Sequence, residues 1–146
     1  MTPEEIHAAR FGALDTTTLY ALLKLRVDVF VVEQRCPYPE LDGRDTEPGT
    51  LHIWAARNGQ EPLGYLRVLT DHDGVARIGR VCTAAGGRGL GIAGRLVERA
   101  LAEIGDAPSR LDAQSYLVDF YARYGYTATA PEYVEDGIPH VPMARG

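Results

Sequence analysis

Val81-Cys82-Thr83-Ala84-Ala85-Gly86-Gly87-Arg88-Gly89-Leu90-Gly91-Ile92-Ala93-Gly94-Arg95-Leu96-Val97 reads as a strand that runs into glycines and out into a helix. Beyond the glycines, Leu96, Val97, Ala100, Leu101 and Ile104 recur on one helical stripe. A strand–glycine–helix junction binds anions. The first helical turn presents N–H groups without intrahelical partners at the positive end of the helix dipole. Glycines let a phosphate come close to that backbone. No Gly-Lys-Ser/Thr closes the turn, so it is not a P-loop. Gly89, Gly91 and Gly94 do spell G-x-G-x-x-G, and Asp112 follows about twenty residues on, as a dinucleotide fingerprint would have it. That fingerprint belongs at the start of a domain rich in βαβ units. A glycine turn needed only for packing is the plainer alternative.

The residues before the junction read as a meander. Leu51 to Arg57, Pro62 to Thr70 and Val75 to Thr83 are strands joined at Asn58-Gly59 and Asp73-Gly74. Connections that short require antiparallel pairing. Upstream, Asp15 or one of Thr16 to Thr18 caps a helix carrying Leu19, Leu22, Leu23, Arg26, Val27 and Phe30, which Pro37 and Pro39 end. Residues 1–15 read as a loosely held leading segment, and Cys36 to Gly49 as a long surface loop. Downstream come a strand, Arg110 to Gln114, and a short helix with Leu117, Phe120, Tyr121 and Tyr124 on one face and Gly125 as its C-cap. Two strands, Tyr126 to Ala130 and Ile138 to Ala144, close the chain. The order α, β-β-β, α, β, α, β, β predicts one α+β domain over residues 1–146, a twisted and mostly antiparallel sheet flanked by helices.

Composition narrows the function. The 146 residues carry 15 Lys and Arg against 20 Asp and Glu, a formal net charge of −5. That balance disfavours a nucleic-acid partner, which calls for a basic face. No run reaches the roughly 18–20 apolar residues of a membrane span, and Met1 to Arg10 is too polar for a signal peptide, so a cytoplasmic protein is expected. Cys36 and Cys82 form no C-x-x-C pair and read as reduced, buried thiols, with no metal site.

Arg88-x-x-Gly91-x-Ala93 resembles the acetyl-CoA signature Q/R-x-x-G-x-G/A of the GNAT superfamily of N-acetyltransferases. Phe120-Tyr121-x-x-x-Gly125-Tyr126 resembles that superfamily's F-Y-x-x-x-G-F stretch, with Tyr126 in place of the second phenylalanine. Leu25-Arg26-x-x-Val29-Phe30-Val31-Val32-Glu33-Gln34, Cys36-Pro37-Tyr38, Asp42-Gly43-x-Asp45, His52, Ile78-Gly79-Arg80-Val81, Ala113-Gln114 and Glu135-Asp136-Gly137-Ile138-Pro139-His140 together are similar to the ElaA-like group of that superfamily. The likeness covers essentially all of residues 11–146.

The resemblance implies a sheet split between central strands, filled by the pantetheine arm of acetyl-CoA as co-substrate. It implies that Val81, Cys82 and Thr83 edge the cofactor and that the N–H groups of Gly89, Leu90, Gly91, Ile92, Ala93 and Gly94 hold the pyrophosphate. Arg88 would add charge to that site or bind the adenosine phosphate, and Gln114 would border the same cleft. Tyr121 would protonate the leaving thiolate, a role a phenol can fill. The alternative for Tyr121 is membership of the apolar stripe.

Direct attack by an amine needs no protein nucleophile, so Cys82 is a core residue. A lysine-type amine has a pKa near 10.4, so a base is useful. Glu33, His52 and His140 are candidates; an Arg26–Glu33 ion pair and structural histidines are the alternatives. Glu40, Asp42, Asp45 and Glu47 either attract a cationic substrate or form a solvated face.

The function expected is acetyl transfer from acetyl-CoA to a primary amine on a small molecule or peptide. A non-catalytic acyl-CoA-binding sensor on the same fold and a dinucleotide-binding fragment are the competing readings. The C-terminal strand is available to pair across a homodimer.

Overall fold

A computed structural model describes residues 3–146. The first element corrects the expectation for residues 1–15. Strand β1, Glu5–Arg10, pairs antiparallel with β2, Leu51–Ala56, from Glu5 opposite Ala56 to Arg10 opposite Leu51. Ile6 and Ala8 pack on the core from this strand, which is why the segment is held. Met1 and Thr2 lie outside the described residues.

The meander follows the sequence reading. β2 pairs with β3, Pro62–Thr70, and β3 with β4, Ala76–Thr83, all antiparallel. Gly59 and Gly74 take positive φ in the two connecting turns. β5, Ser109–Gln114, joins β4 in parallel, and β8, Ile138–Arg145, lies antiparallel beyond it. The tail holds three strands where two are expected. β6, Thr127–Ala128, and β7, Tyr133–Glu135, both pair with β8. The sheet order is β1-β2-β3-β4-β5-β8-β6.

Helices cover both faces. Helix α1, Thr16–Val27, is capped by Asp15, whose Oδ1 accepts from the Thr18 N–H at 2.6 Å. It packs Leu22 and Leu25 on Tyr65 and Cys82 of the sheet. After Val27 the helical path continues to Glu33 with wider, π-type winding: the Gln34 N–H reaches the Val29 C=O and the Cys36 N–H the Val31 C=O. Helix α2, Ile92–Ile104, covers the other face and buries Ile92, Leu96, Val97 and Ala100 in the main core. Ile92, Leu96 and Val97 each contribute roughly 1.5–3 kcal/mol on burial. Gly64 permits this contact, since a Cβ there would sit 2.6 Å from Ile92 Cγ2. Helix α3, Val118–Ala122, ends at Gly125 with φ +91°, as a left-handed C-cap requires. No helix among the described residues is long and apolar enough to cross a membrane.

Candidate active site

The site is a tear in the sheet. β4 and β5 pair only at Ala76–Ser109 and Arg77–Arg110. The Arg77 guanidinium, bonded to Asp112 at 2.6 Å and to Asp71 at 2.9 Å, staples the two strands where they part. Asp112, the residue a dinucleotide reading needs free, is thus committed to the sheet. Beyond this point the strands diverge, and β4 has no β5 partner from Ile78 to Thr83. The divergence opens a cleft of about 940 Å³ bordered by Val81, Cys82, Thr83, Gln114 and Tyr121. A second deformation bends β4. Tyr65 opposes Cys82 and Arg67 opposes Gly79, so β4 carries an extra residue there, and Arg80 takes a left-handed φ of +53°. The isolated Gly79 inside the strand is the one local signal for this bulge.

One end of the cleft meets the glycine turn. A smaller hollow of about 190 Å³ is lined by Gly87, Arg88, Gly89, Gly91, Ile92, Ala93 and Gly94, and shares Thr83, Arg88, Ala93 and Phe120 with the cleft as walls. Gly89 and Gly91 take φ of +78° and +73°, and a Cβ on either would meet nothing within 4 Å. The turn is therefore open where a diphosphate would have to approach. The Arg95 N–H reaches back to the Gly91 C=O, leaving the N–H groups of the preceding turn without intrahelical partners. Ile92 buries its side chain in the core while its amide stays in that turn, and Leu90 is exposed at its tip. Donor set and open backbone fit the pyrophosphate of a coenzyme A thioester.

Tyr121 borders the middle of the cleft at 4% exposure, edge-on to Phe120 and Tyr126. Its hydroxyl bonds to no other described residue. Burial, then the nearby Tyr116, push its pKa well above that of a free phenol, so it holds its proton at neutral pH. Cys82 packs with Leu22, Leu25 and Tyr65, and burial pushes its thiol up to about 12. A thiol held protonated is a poor nucleophile, consistent with direct transfer.

The cleft is also bordered by residues between Glu33 and Asp42 and by the β7–β8 hairpin. Glu33 does not pair with Arg26. Arg88 Nη2 donates to its carboxylate at 2.6 and 2.7 Å and to the Thr83 C=O at 3.1 Å, so the signature arginine and the candidate base hold each other across the cleft mouth.

Arg26 instead lies at 0% exposure, donating to Glu40 at 2.8 Å and Asp45 at 2.6 Å. Arg67 donates to Asp45 and Asp42, and Tyr38 to Glu40. Arg80 sits with its Nε 2.9 Å from Glu40, an ion pair without hydrogen-bond alignment. Glu40 and Asp45 are therefore part of an interior network, where the sequence suggested a solvated or substrate-attracting face. Only Asp42 of that group also borders the cleft.

His52 is corrected as a catalytic candidate. It is 1% exposed, does not border the cleft, and spends both ring nitrogens, Nδ1 on the Tyr65 hydroxyl at 2.7 Å and Nε2 on the Asp45 C=O at 3.0 Å. Burial lowers its pKa, so it is a neutral tie between the meander and the loop. His140 borders the cleft. Two cleft-lining segments are joined where Cys36 Sγ donates to the Asp136 C=O at 3.2 Å; Asp136 and Arg35, which precedes Cys36, both have left-handed backbone. Spacing held no signal for that contact.

The comparisons with known proteins agree with this geometry. The family described as Acetyltransferase (GNAT) domain matches residues 25–145. The chain belongs to the GNAT acetyltransferase family. Protein ElaA of Escherichia coli is 40% identical over 138 residues, 90% of each chain. A UPF0039 protein of Mycobacterium tuberculosis is 53% identical over 135 residues, 90% of this chain and 86% of that one. Among solved structures, an acyl-CoA N-acyltransferase from Pseudomonas aeruginosa superposes with a TM-score of 0.92 at 44% identity, covering 98% of this chain and 99% of that one.

Proposed function

We propose that the protein transfers an acetyl group from acetyl-CoA to a primary amine by direct attack. One observation carries this reading: the torn edge of β4 and Tyr121 border a cleft that shares Thr83, Arg88, Ala93 and Phe120 as walls with the hollow at the open amides before α2. Unpaired strand groups seek partners, and the free edge from Ile78 to Thr83 suits the amides of a pantetheine arm. The amides of Gly89 to Gly94 and the Arg88 guanidinium then face the diphosphate. Bound acetyl-CoA would supply a thioester whose carbonyl carbon accepts the amine. The backbone around Val81 to Thr83 would polarise the thioester carbonyl, and Tyr121 would give its proton to the departing sulfur.

The test is direct. The protein is mixed with acetyl-CoA and a panel of a peptide α-amine, a lysine-containing peptide, spermidine and glucosamine, and free thiol is followed. Thiol release with at least one amine supports the reading. Acetyl-CoA that stabilises the fold without turnover on any amine, including those in a cell metabolite extract, favours a binding module instead. Stabilisation by NAD and not by acetyl-CoA rejects both.

A further inference from the structure

Resting on the acetyl-transfer reading, we infer that His140 is the general base that takes the proton from the attacking amine through its Nε2. Three observations point to it. His140 on β8 borders the cleft, as does Glu33, which shares its exposed carboxylate with Arg88, whereas His52 is buried away from it. Its Nδ1 lies 2.8 Å from the Ile138 C=O. A carbonyl only accepts, so Nδ1 carries the hydrogen and Nε2 keeps a lone pair. Nε2 has no partner among the described residues. The ring is also fixed from its face, stacked on Tyr133 at 5.7 Å and 23°.

The register places it beside β5, the strand that forms one edge of the tear. His140 is directly opposite Gln114 on β5 and Tyr133 on β7, so the three side chains share one face of the sheet. Gln114 borders the same cleft. The charged and titratable groups around His140 are accounted for. Tyr133 and Glu135 are on β7, and Asp136 is in the hairpin. Asp112 on β5 is tied to Arg77, and Glu132 accepts from the Ser115 hydroxyl at 2.6 Å. Tyr121 of α3, which packs on β5, borders the same cleft.

In the step itself the amine nitrogen bonds the carbonyl carbon and the carbon–sulfur bond breaks. The nitrogen's proton goes to Nε2, and the sulfur takes the proton of the Tyr121 hydroxyl. Solvent in the cleft returns a proton from the imidazolium to the phenolate, so both residues end as they began. The amide and free thiol are the only net products.

The test compares wild type, His140→Gln and Glu33→Gln with the best amine of the panel above. The expected result for His140→Gln is a kcat lower by about 10²–10⁴-fold. Its Kd for acetyl-CoA stays within about twofold of wild type, and its pH profile loses the acidic limb of kcat/KM. Glu33→Gln keeps that limb. Imidazole added to His140→Ala restores part of the rate. His140→Gln with wild-type kcat and an unchanged profile overturns the assignment, and so does loss of the limb in Glu33→Gln instead. A second measurement needs no variant: nitrogen NMR of the histidine-labelled protein reports the tautomer. The Nδ1–H form supports the proposal, and the Nε2–H form overturns it. If wild type turns over no amine, the acetyl-transfer reading fails with it. If wild type is active and His140→Gln is equally so, only the base assignment fails.

Discussion

Tyr121 and Arg26 show how one apolar position and one polar position were each decided by what surrounds them. Tyr121 sits on the stripe with Leu117 and Tyr124, and periodicity alone does not separate a packing role from a catalytic one. Its buried hydroxyl, however, opens on the cleft without a partner. Tyr121→Phe keeps the packing and removes only the donor, so kcat should fall by roughly 10²-fold while the melting temperature holds. Full activity of that variant from pH 6 to 9 in the thiol-release assay would refute the acid role. Arg26 is the reverse case: a charged residue on a helix face that reads as amphipathic, buried completely against Glu40 and Asp45. Arg26→Met leaves two carboxylates in the interior with too few partners. Urea unfolding should show a loss of about 3–5 kcal/mol. A loss under about 1 kcal/mol would mean that Arg67, Arg80 and Tyr38 satisfy those carboxylates alone.

Among the elements, the junction of β4 and α2 was the most legible and the bulge within β4 the least. Glycine positions, helix stripe and strand length are local properties, so the turn from Ala84 to Gly94 could be read from its residues. Two tests belong here. Gly87 is packed so that a Cβ would lie 2.9 Å from the Leu63 carbonyl oxygen. Gly87→Ala therefore has to push the turn off β3, and a destabilisation of roughly 1–3 kcal/mol is expected in thermal or urea melts. Arg88 carries a charge-assisted bond to Glu33 that costs little to exchange, since both groups are exposed. Arg88→Ala should raise the Kd of coenzyme A about 10- to 100-fold in calorimetry, with the wild-type value itself weakening as salt rises. A Kd unchanged at low salt would take Arg88 out of the phosphate site. The tear and the bulge, by contrast, are relations between strands. Whether β4 keeps its β5 partner past Arg77 depends on residues about 30 positions away, and no window on β4 contains them.

Across the whole molecule, the loop from Cys36 to Gly49 is locked to the meander by buried charge and by His52, which makes stability depend on acid. His52 has a lowered pKa when folded, from an ordinary 6.5, because burial disfavours its charged form. The unfolded chain therefore binds that proton first. The contribution is full above about pH 6.5 and is lost as pH falls from there through the folded value. Asp45 loses solvation on burial, but the hydrogen bonds and charges of Arg26 and Arg67 together outweigh this and lower its pKa from 3.8. Its contribution is full above that value and fades only below it. Denaturation midpoints should thus fall in two stages between pH 7 and pH 3, and His52→Gln should remove the upper one. A flat profile from pH 7 to 5 in wild type would contradict the buried neutral histidine.

Read without its structure, the chain determined its element types, the antiparallel meander, the glycine turn at a helix start and the α+β class. Period, capping and turn chemistry act over a few residues, so they are written in order along the chain. Only the tertiary structure decided which partners the charges found, that residues 5–10 join the sheet, that His52 is sealed away and that β4 and β5 part company. Each of those outcomes depends on groups far apart in sequence being brought within bonding distance, and on water being excluded once they are.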